Sequence, residues 1–113
     1  MTSALPVGQD RNISPVSPIF RQEMNELVAM ICTALNDPKR LILLYALADR
    51  PHTVGELCQV LQAPQSNTSQ HLGVLRNRGL VRADRQGNTV IYSLQHPGIV
   101  DALEILRKVL EAE

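Results

Sequence analysis

Apolar positions recur with a helical period along most of this chain, and short polar breaks separate one period from the next. Ser17-Pro18 supplies an N-cap and a first-turn proline. In the segment that follows, taken at roughly 100° per residue, Phe20, Met24, Leu27, Val28, Ile31 and Leu35 gather on one side of a helix. Asp37-Pro38 opens a second helix through Leu41, Ile42, Leu44, Tyr45 and Leu47, which "DRPH" ends. Thr53 and Glu56 have the spacing of a capping box and start a short helix that turns Val54, Leu57, Cys58 and Leu61 inward. "QAP" makes a turn. "QSNTSQHLGVLRNRGLV", from residue 65, is the next helix, closed by Gly79 with Leu80 as its hydrophobic partner. The period then changes to that of two short strands, about 80–85 and 89–94, joined around Gln86-Gly87-Asn88, where glycine supplies a positive φ. His96-Pro97-Gly98 breaks the second strand, and a final helix runs from about 98 to 111. Pro6, Gly8 and Pro15 punctuate a start without apolar period, so residues 1–16 read as a flexible arm and 17–113 as one domain.

This order predicts a mainly α fold with a small β-hairpin: a winged helix-turn-helix, whose hairpin is the wing. The helix from Gln65 is the reader. With Ser66 at the centre of a helical wheel, Gln70, Gly73 and Asn77 fall on the same side, flanked by Asn67, Ser69 and Val74. Thr68, Leu72 and Leu75 fall opposite and dock on the core. The outward face therefore offers amides and hydroxyls and no bulk at Gly73, which suits close approach to a major groove. Asn67 and Gln70 have the chemistry for a bidentate contact to adenine. Ser66, Ser69 and Gln65 suit a base edge or a phosphate, and His71, beside the core face, suits packing or a phosphate. Arg76, Arg78, Arg82 and Arg85 are the expected phosphate contacts, with Gln86 and Asn88 at the hairpin tip; Arg85 alternatively reaches the minor groove.

Charge bears on that reading through its distribution. The chain is neutral overall, yet residues 64–92 carry four arginines against one aspartate, a net of +3. That local stripe attracts phosphates without making an indiscriminate binder. Phe20, Tyr45 and Tyr92 are the only aromatics, too few for a single-strand stacking platform, so duplex DNA is the expected partner. No apolar run approaches the ~20 residues of a membrane span, and the first residues lack the pattern of a signal peptide. A cytoplasmic protein without membrane association is expected. Cys32 and Cys58 are free thiols in a reducing compartment. No histidine is placed for acid–base work and no glycine loop cradles phosphate, so an enzyme is not expected.

The final helix is apolar over too wide an arc for one core. Ile99, Ala102, Leu103, Ile105, Leu106, Val109 and Leu110 cover roughly 160°, where one packing contact needs about 100°. The first helix is similarly wide. Phe20, Met24, Leu27, Ile99, Leu103, Leu106 and Leu110 are therefore the expected interface of a homodimer, which sets two reading helices on a pseudo-palindromic operator. The alternative is a monomer whose arm covers this surface.

Four blocks, "LNDPKRLILLYAL", "VGELCQVL", "QSNTSQHLGVLRNRGLV" and "RQGNTVIYSL", together resemble the ArsR/SmtB family of bacterial winged-helix repressors, over about residues 24–110. The resemblance implies a dimeric repressor that an inducer, often a metal ion, releases from its operator; a metal or metalloid, thiol oxidation, an organic ligand at the dimer interface or no ligand at all each fits this sequence. It also implies that Gln65 to Arg78 is the recognition helix. The sensors of the family do not carry over. The C-x-C of arsenic-sensing relatives is matched by Thr53 and Gly55, and Asp101, Glu104 and Glu111 with His96 do not fall where zinc ligands stand. The first cysteine position of thiol-sensing relatives is matched by Tyr45, and the last helix has no cysteine. Cys32, Cys58 and His96 are the remaining metal candidates, and Cys32 with Cys58 the remaining redox pair; no metal site or cofactor is assigned. His52 reads as a solvated turn residue. Pro64 stands where relatives have a capping serine, removing a cap worth about 1 kcal/mol. The alternative function is a winged helix used for protein–protein contact, without DNA binding.

Overall fold

Short-range caps decide where the helices begin. Ser17 Oγ accepts from the Phe20 N–H at 3.3 Å, and Asp37 Oδ1 from the Lys39 N–H at 2.8 Å. At Thr53 both halves of the capping box form: Glu56 N–H donates to Thr53 Oγ1 at 3.1 Å, and Thr53 N–H to Glu56 Oε1 at 2.9 Å. The computed structural model describes residues 14–112. In it the chain forms α1 (Pro18–Leu27), a π-helical turn (Val28–Cys32), α2 (Pro38–Asp49), β1 (His52–Thr53), α3 (Val54–Leu61), α4 (Gln65–Asn77), β2 (Val81–Gln86), β3 (Thr89–Leu94) and α5 (Gly98–Glu111). Most of the arm expected over 1–16, residues 1–13, lies outside the described residues.

The chain divides into two units after Thr33. In the first, α1 buries none of its residues, and Met24, Leu27 and Val28 stay 37%, 49% and 56% exposed. The single helix expected through Leu35 is interrupted at Val28, where i→i+5 bonding over Val28–Cys32 widens the turn.

The second unit holds the core. Leu43, Leu44 and Leu47 of α2 meet Leu57 of α3, Leu72 and Leu75 of α4, Leu80 and Val81 at the start of the wing, and Val100 and Leu103 of α5, all buried. The three strands form one antiparallel sheet in the order β1-β3-β2. Gly87, with φ +65°, takes the first place of a two-residue hairpin loop, and Gln86 pairs with Thr89 across it.

The short strand β1 is absent from the sequence reading, because two residues are too few to display a period. Only pairing with Tyr92 and Ile91 makes a strand of them. This corrects His52, expected in solvent: it is 7% exposed, and its Nδ1–H donates to the Arg50 carbonyl at 2.7 Å. The turn after α3 is a second surprise. Gln62 adopts the left-handed conformation, φ 54°, that a glycine would favour.

Candidate nucleic-acid interface

Helix α4, the expected recognition helix, is fixed at both ends by backbone chemistry. It starts at Pro64, which offers no side-chain cap, while the Pro64 carbonyl accepts from Thr68 N–H at 3.0 Å. It ends in a Schellman turn: Gly79, at φ +76°, donates to the Arg76 carbonyl at 3.0 Å, and Leu80 N–H to the Leu75 carbonyl at 2.9 Å. That turn buries Leu80 and launches the wing directly from the helix.

Between these ends the wheel drawn from the sequence holds. Thr68, His71, Leu72 and Leu75 are buried, whereas Gln65, Ser66, Ser69, Gln70, Arg76 and Asn77 are exposed and Asn67 is half-buried. A Cβ built on Gly73 would meet nothing within 4 Å. Nothing inside the chain therefore requires a glycine there, and the open space lies on the outward side. Arg78, Arg82, Arg85, Gln86 and Asn88 are exposed as well. Two of the wing arginines have local partners: Arg82 Nε lies 3.3 Å from Asp84, and Arg85 reaches the Gly87 carbonyl at 3.5 Å. Such exposed pairings contribute little and yield readily to a phosphate.

His71 is corrected from a candidate contact to a docking residue. It is 9% exposed, and Arg40 Nη1 donates to its Nδ1 at 3.1 Å. Because arginine only donates, Nδ1 accepts while the ring is neutral, and the ring proton is then on Nε2, 3.8 Å from Asp37. Arg40 Nε also donates to the Ala34 carbonyl at 3.0 Å, so one guanidinium ties the recognition helix to the entry of α2. The bond from Lys39 N–H, helped by the nearby His71, Arg40 and Lys39, holds the Asp37 carboxyl below the usual carboxylate range.

Lys39 was missed. Its Nζ donates to Asn67 Oδ1 at 3.5 Å, which brings an exposed cation from α2 beside the start of the reading face. A signal was present: α2 has no acidic residue in its first turn but has Lys39 and Arg40, against the preference of a helix N-terminus.

The dimer candidates divide. On α5, Leu106 and Leu110 are 57% and 73% exposed and Ile99 is half-buried, while Leu103, at 8%, is committed to its own core. On the first unit, Phe20 is half-buried and Met24 and Leu27 are exposed. The sensor candidates do not assemble. Cys32 is exposed, Cys58 half-buried, and both thiols are free; His96 is exposed. Among the described residues no group of three or more His, Cys, Asp or Glu could hold a metal ion. Glu104, on the helix where zinc-type ligands would stand, instead accepts from Tyr45 Oη at 2.6 Å and from Arg107 Nε at 2.9 Å. These two donors, Arg107 first, hold its carboxyl below the usual range. The residues present do not fit a metal of that kind.

Comparison with known proteins decides the family. The model for the bacterial regulatory proteins of the arsR family matches residues 37–83, from the Asp37 cap into the wing. An uncharacterised HTH-type transcriptional regulator of Mycobacterium tuberculosis, Rv0081, is 41% identical over 90 residues, 79% of each chain. The chain belongs to the arsR family. The transcriptional activator HlyU of Vibrio cholerae is 35% identical over 81% of this arsR-family chain and 88% of its own. The crystal structure of the transcriptional repressor BigR from Xylella fastidiosa superposes with a TM-score of 0.64 at 34% identity, covering 76% of this chain and 94% of that one. The Rv0081 crystal structure superposes with a TM-score of 0.68, covering 85% and 92%. This arsR-family chain is thus a winged-helix transcriptional regulator and not an enzyme, and the expected fold class is borne out. No helix of the described residues is long and apolar enough to cross a membrane.

Proposed function

We propose that two copies of the chain bind one pseudo-palindromic duplex operator, repress transcription from it, and release it when an inducer binds. The observation that carries this is the outward face of α4, exposed and polar at Ser66, Ser69 and Gln70 and unfilled at Gly73. Gln70, with Asn67 beside it, reads base edges. Arg76, Arg78, Arg82 and Arg85 hold phosphates, and Gln65, Gln86 and Asn88 lie close enough in the chain to join them. Lys39 adds a phosphate contact from α2. The exposed apolar residues of α5 supply the self-association that a twofold operator requires. BigR is a repressor and HlyU an activator, so the sign of regulation is a choice within the family; occlusion of the promoter by a small domain of this kind favours repression. A cytoplasmic place follows from the DNA partner.

Fluorescence anisotropy tests the reading. The protein is titrated onto the duplex upstream of its own gene and onto a scrambled duplex, at two salt concentrations. Tight binding to the first alone is expected. Gln70→Ala should lose about 1–3 kcal/mol of discrimination, while Arg85→Ala should weaken both duplexes and make the salt slope shallower by about one. Equal loss of specificity from the two variants would overturn this division of roles, and salt-independent or absent binding would overturn DNA recognition itself.

A further inference from the structure

Between α2 and α5 lies an apolar cavity of about 330 Å³, lined by Leu35, Leu41, Tyr45, Leu103, Leu106 and Leu110, with Arg107 the one charged side chain among its walls. An aliphatic cavity of about 150 Å³ holds benzene, so this space suits roughly a dozen non-hydrogen atoms. One wall is polar in a particular way. Tyr45 spends its proton on Glu104 at 2.6 Å, leaving the phenol oxygen with lone pairs to accept. Arg107 neutralises the same carboxylate through bonds of 2.9 and 3.4 Å. The positive and negative charges at this wall cancel, so an ionic guest would lose its hydration without finding a free counter-charge. A neutral guest carrying a hydroxyl would lose nothing of the kind.

We propose that this cavity binds a neutral, mostly hydrocarbon molecule with a single hydroxyl group, and that its occupation weakens DNA binding. The second half rests on the reading of the chain as a DNA-binding regulator. The route is short. Tyr45 stands on α2, and the first turn of the same helix holds the recognition helix through Arg40 to His71 and Lys39 to Asn67. A hydroxyl that competes for the Tyr45–Glu104 bond changes how α2 sits on α5, and α2 carries the contacts that set α4. The guest acts only as far as it prefers one of the two arrangements.

The probe is 2-naphthol, neutral at pH 7, with naphthalene-2-sulfonate as its charged counterpart on the same ring. Each is titrated calorimetrically into the full chain. One 2-naphthol per chain is expected, with the sulfonate about tenfold weaker or worse. Tyr45→Phe should weaken 2-naphthol about fivefold. Leu41→Phe, which fills the cavity, should abolish it. In anisotropy, saturating 2-naphthol should raise the operator Kd at least about fivefold. No binding, as when a second copy of the chain already covers the cavity, overturns the proposal; so does equal affinity for the two compounds, or indifference to both variants. Binding with unchanged operator affinity overturns the effector role. Binding of 2-naphthol by a chain that recognises no duplex overturns the DNA reading and the effector role together, while the site stands.

Discussion

Helices α4 and α5 both turn a long face to solvent, and the two faces are opposite in chemistry. On α4, apart from Arg76 in the last turn, the exposed side chains are amides and hydroxyls, each at ease in water and each able to exchange that water for a base edge. On α5, Ile105, Leu106, Val109 and Leu110 are 55–73% exposed. Burying an aliphatic side chain of this size fully is worth about 1.5–3 kcal/mol, so this face gains from a partner of any apolar shape. The difference separates two tasks. If α4 reads DNA and α5 joins two copies as proposed, the polar face supplies information with little binding energy of its own, whereas the apolar face supplies affinity and little information. A twofold assembly combines them, because two weak readings on one duplex multiply once the subunits are joined.

The largest expected effect comes from removing the affinity half. Ile105→Glu with Val109→Glu places two charges on the exposed side of α5, away from the cavity walls, so helix content by circular dichroism should be unchanged. Sedimentation equilibrium should show a monomer, and operator affinity should fall about a hundredfold or more. A double variant that stays dimeric would move the interface elsewhere; a monomer with full operator affinity would break the division of labour.

The information half is attacked at Gly73. Since a Cβ at this position would meet no neighbouring side chain or element within 4 Å, Gly73→Leu has open space at its first carbon and relieves a helix of glycine, worth about 1 kcal/mol of stability. The thermal midpoint should rise while operator binding weakens about tenfold or more, because the new side chain occupies the path of the groove. Stability and affinity moving in opposite directions is the signature. Affinity that rises with stability would mean that the groove approaches another face.

What could be read from the sequence follows from how local each feature is. The α4 wheel, the Gly79 stop and the Thr53 box depend on residues within five positions of each other, and all appear as expected. Features made by distant residues were not legible. β1 exists only because Tyr92 and Ile91 pair with it. For His71, packing and a phosphate contact both fitted the sequence, and packing is what the fold shows because Arg40, thirty-one positions earlier, claims its ring. The wide apolar arc of α5 was visible, yet which edge faces inward was not: Val100 and Leu103 are the buried pair, and Leu103 had been assigned to the partner.

The Asp37 hub that positions α4 gives a pH signature smaller than either effect above. Its carboxyl titrates below the usual range, chiefly through the Lys39 N–H bond, with His71 and Arg40 adding to it. A depressed folded-state pKa stabilises the fold above the ordinary carboxylate value and loses that contribution as pH falls through the lower, folded value. Thermal midpoints should therefore drop on acidification below about pH 4, and Asp37→Asn, which keeps a capping oxygen, should flatten that slope. A variant that retains the full slope would assign it to Glu56 or Glu104, whose carboxyls are also held low, the first chiefly by the Thr53 N–H bond and the second chiefly by Arg107.

The smallest effect separates the two faces within α4 itself. Thr68 is fully buried on the docking side, and its Oγ1 has no hydrogen-bond partner. A buried hydroxyl left unpaired costs about 1–3 kcal/mol. Valine has nearly the same shape and helix propensity, so Thr68→Val should raise stability by about 1 kcal/mol, read as a higher denaturant midpoint at unchanged slope. Operator affinity and base preference should not move, since nothing changes on the outward side. A loss of affinity would mean that the hydroxyl reaches a partner once α4 is on DNA, and the boundary between docking face and reading face would then run on the other side of residue 68.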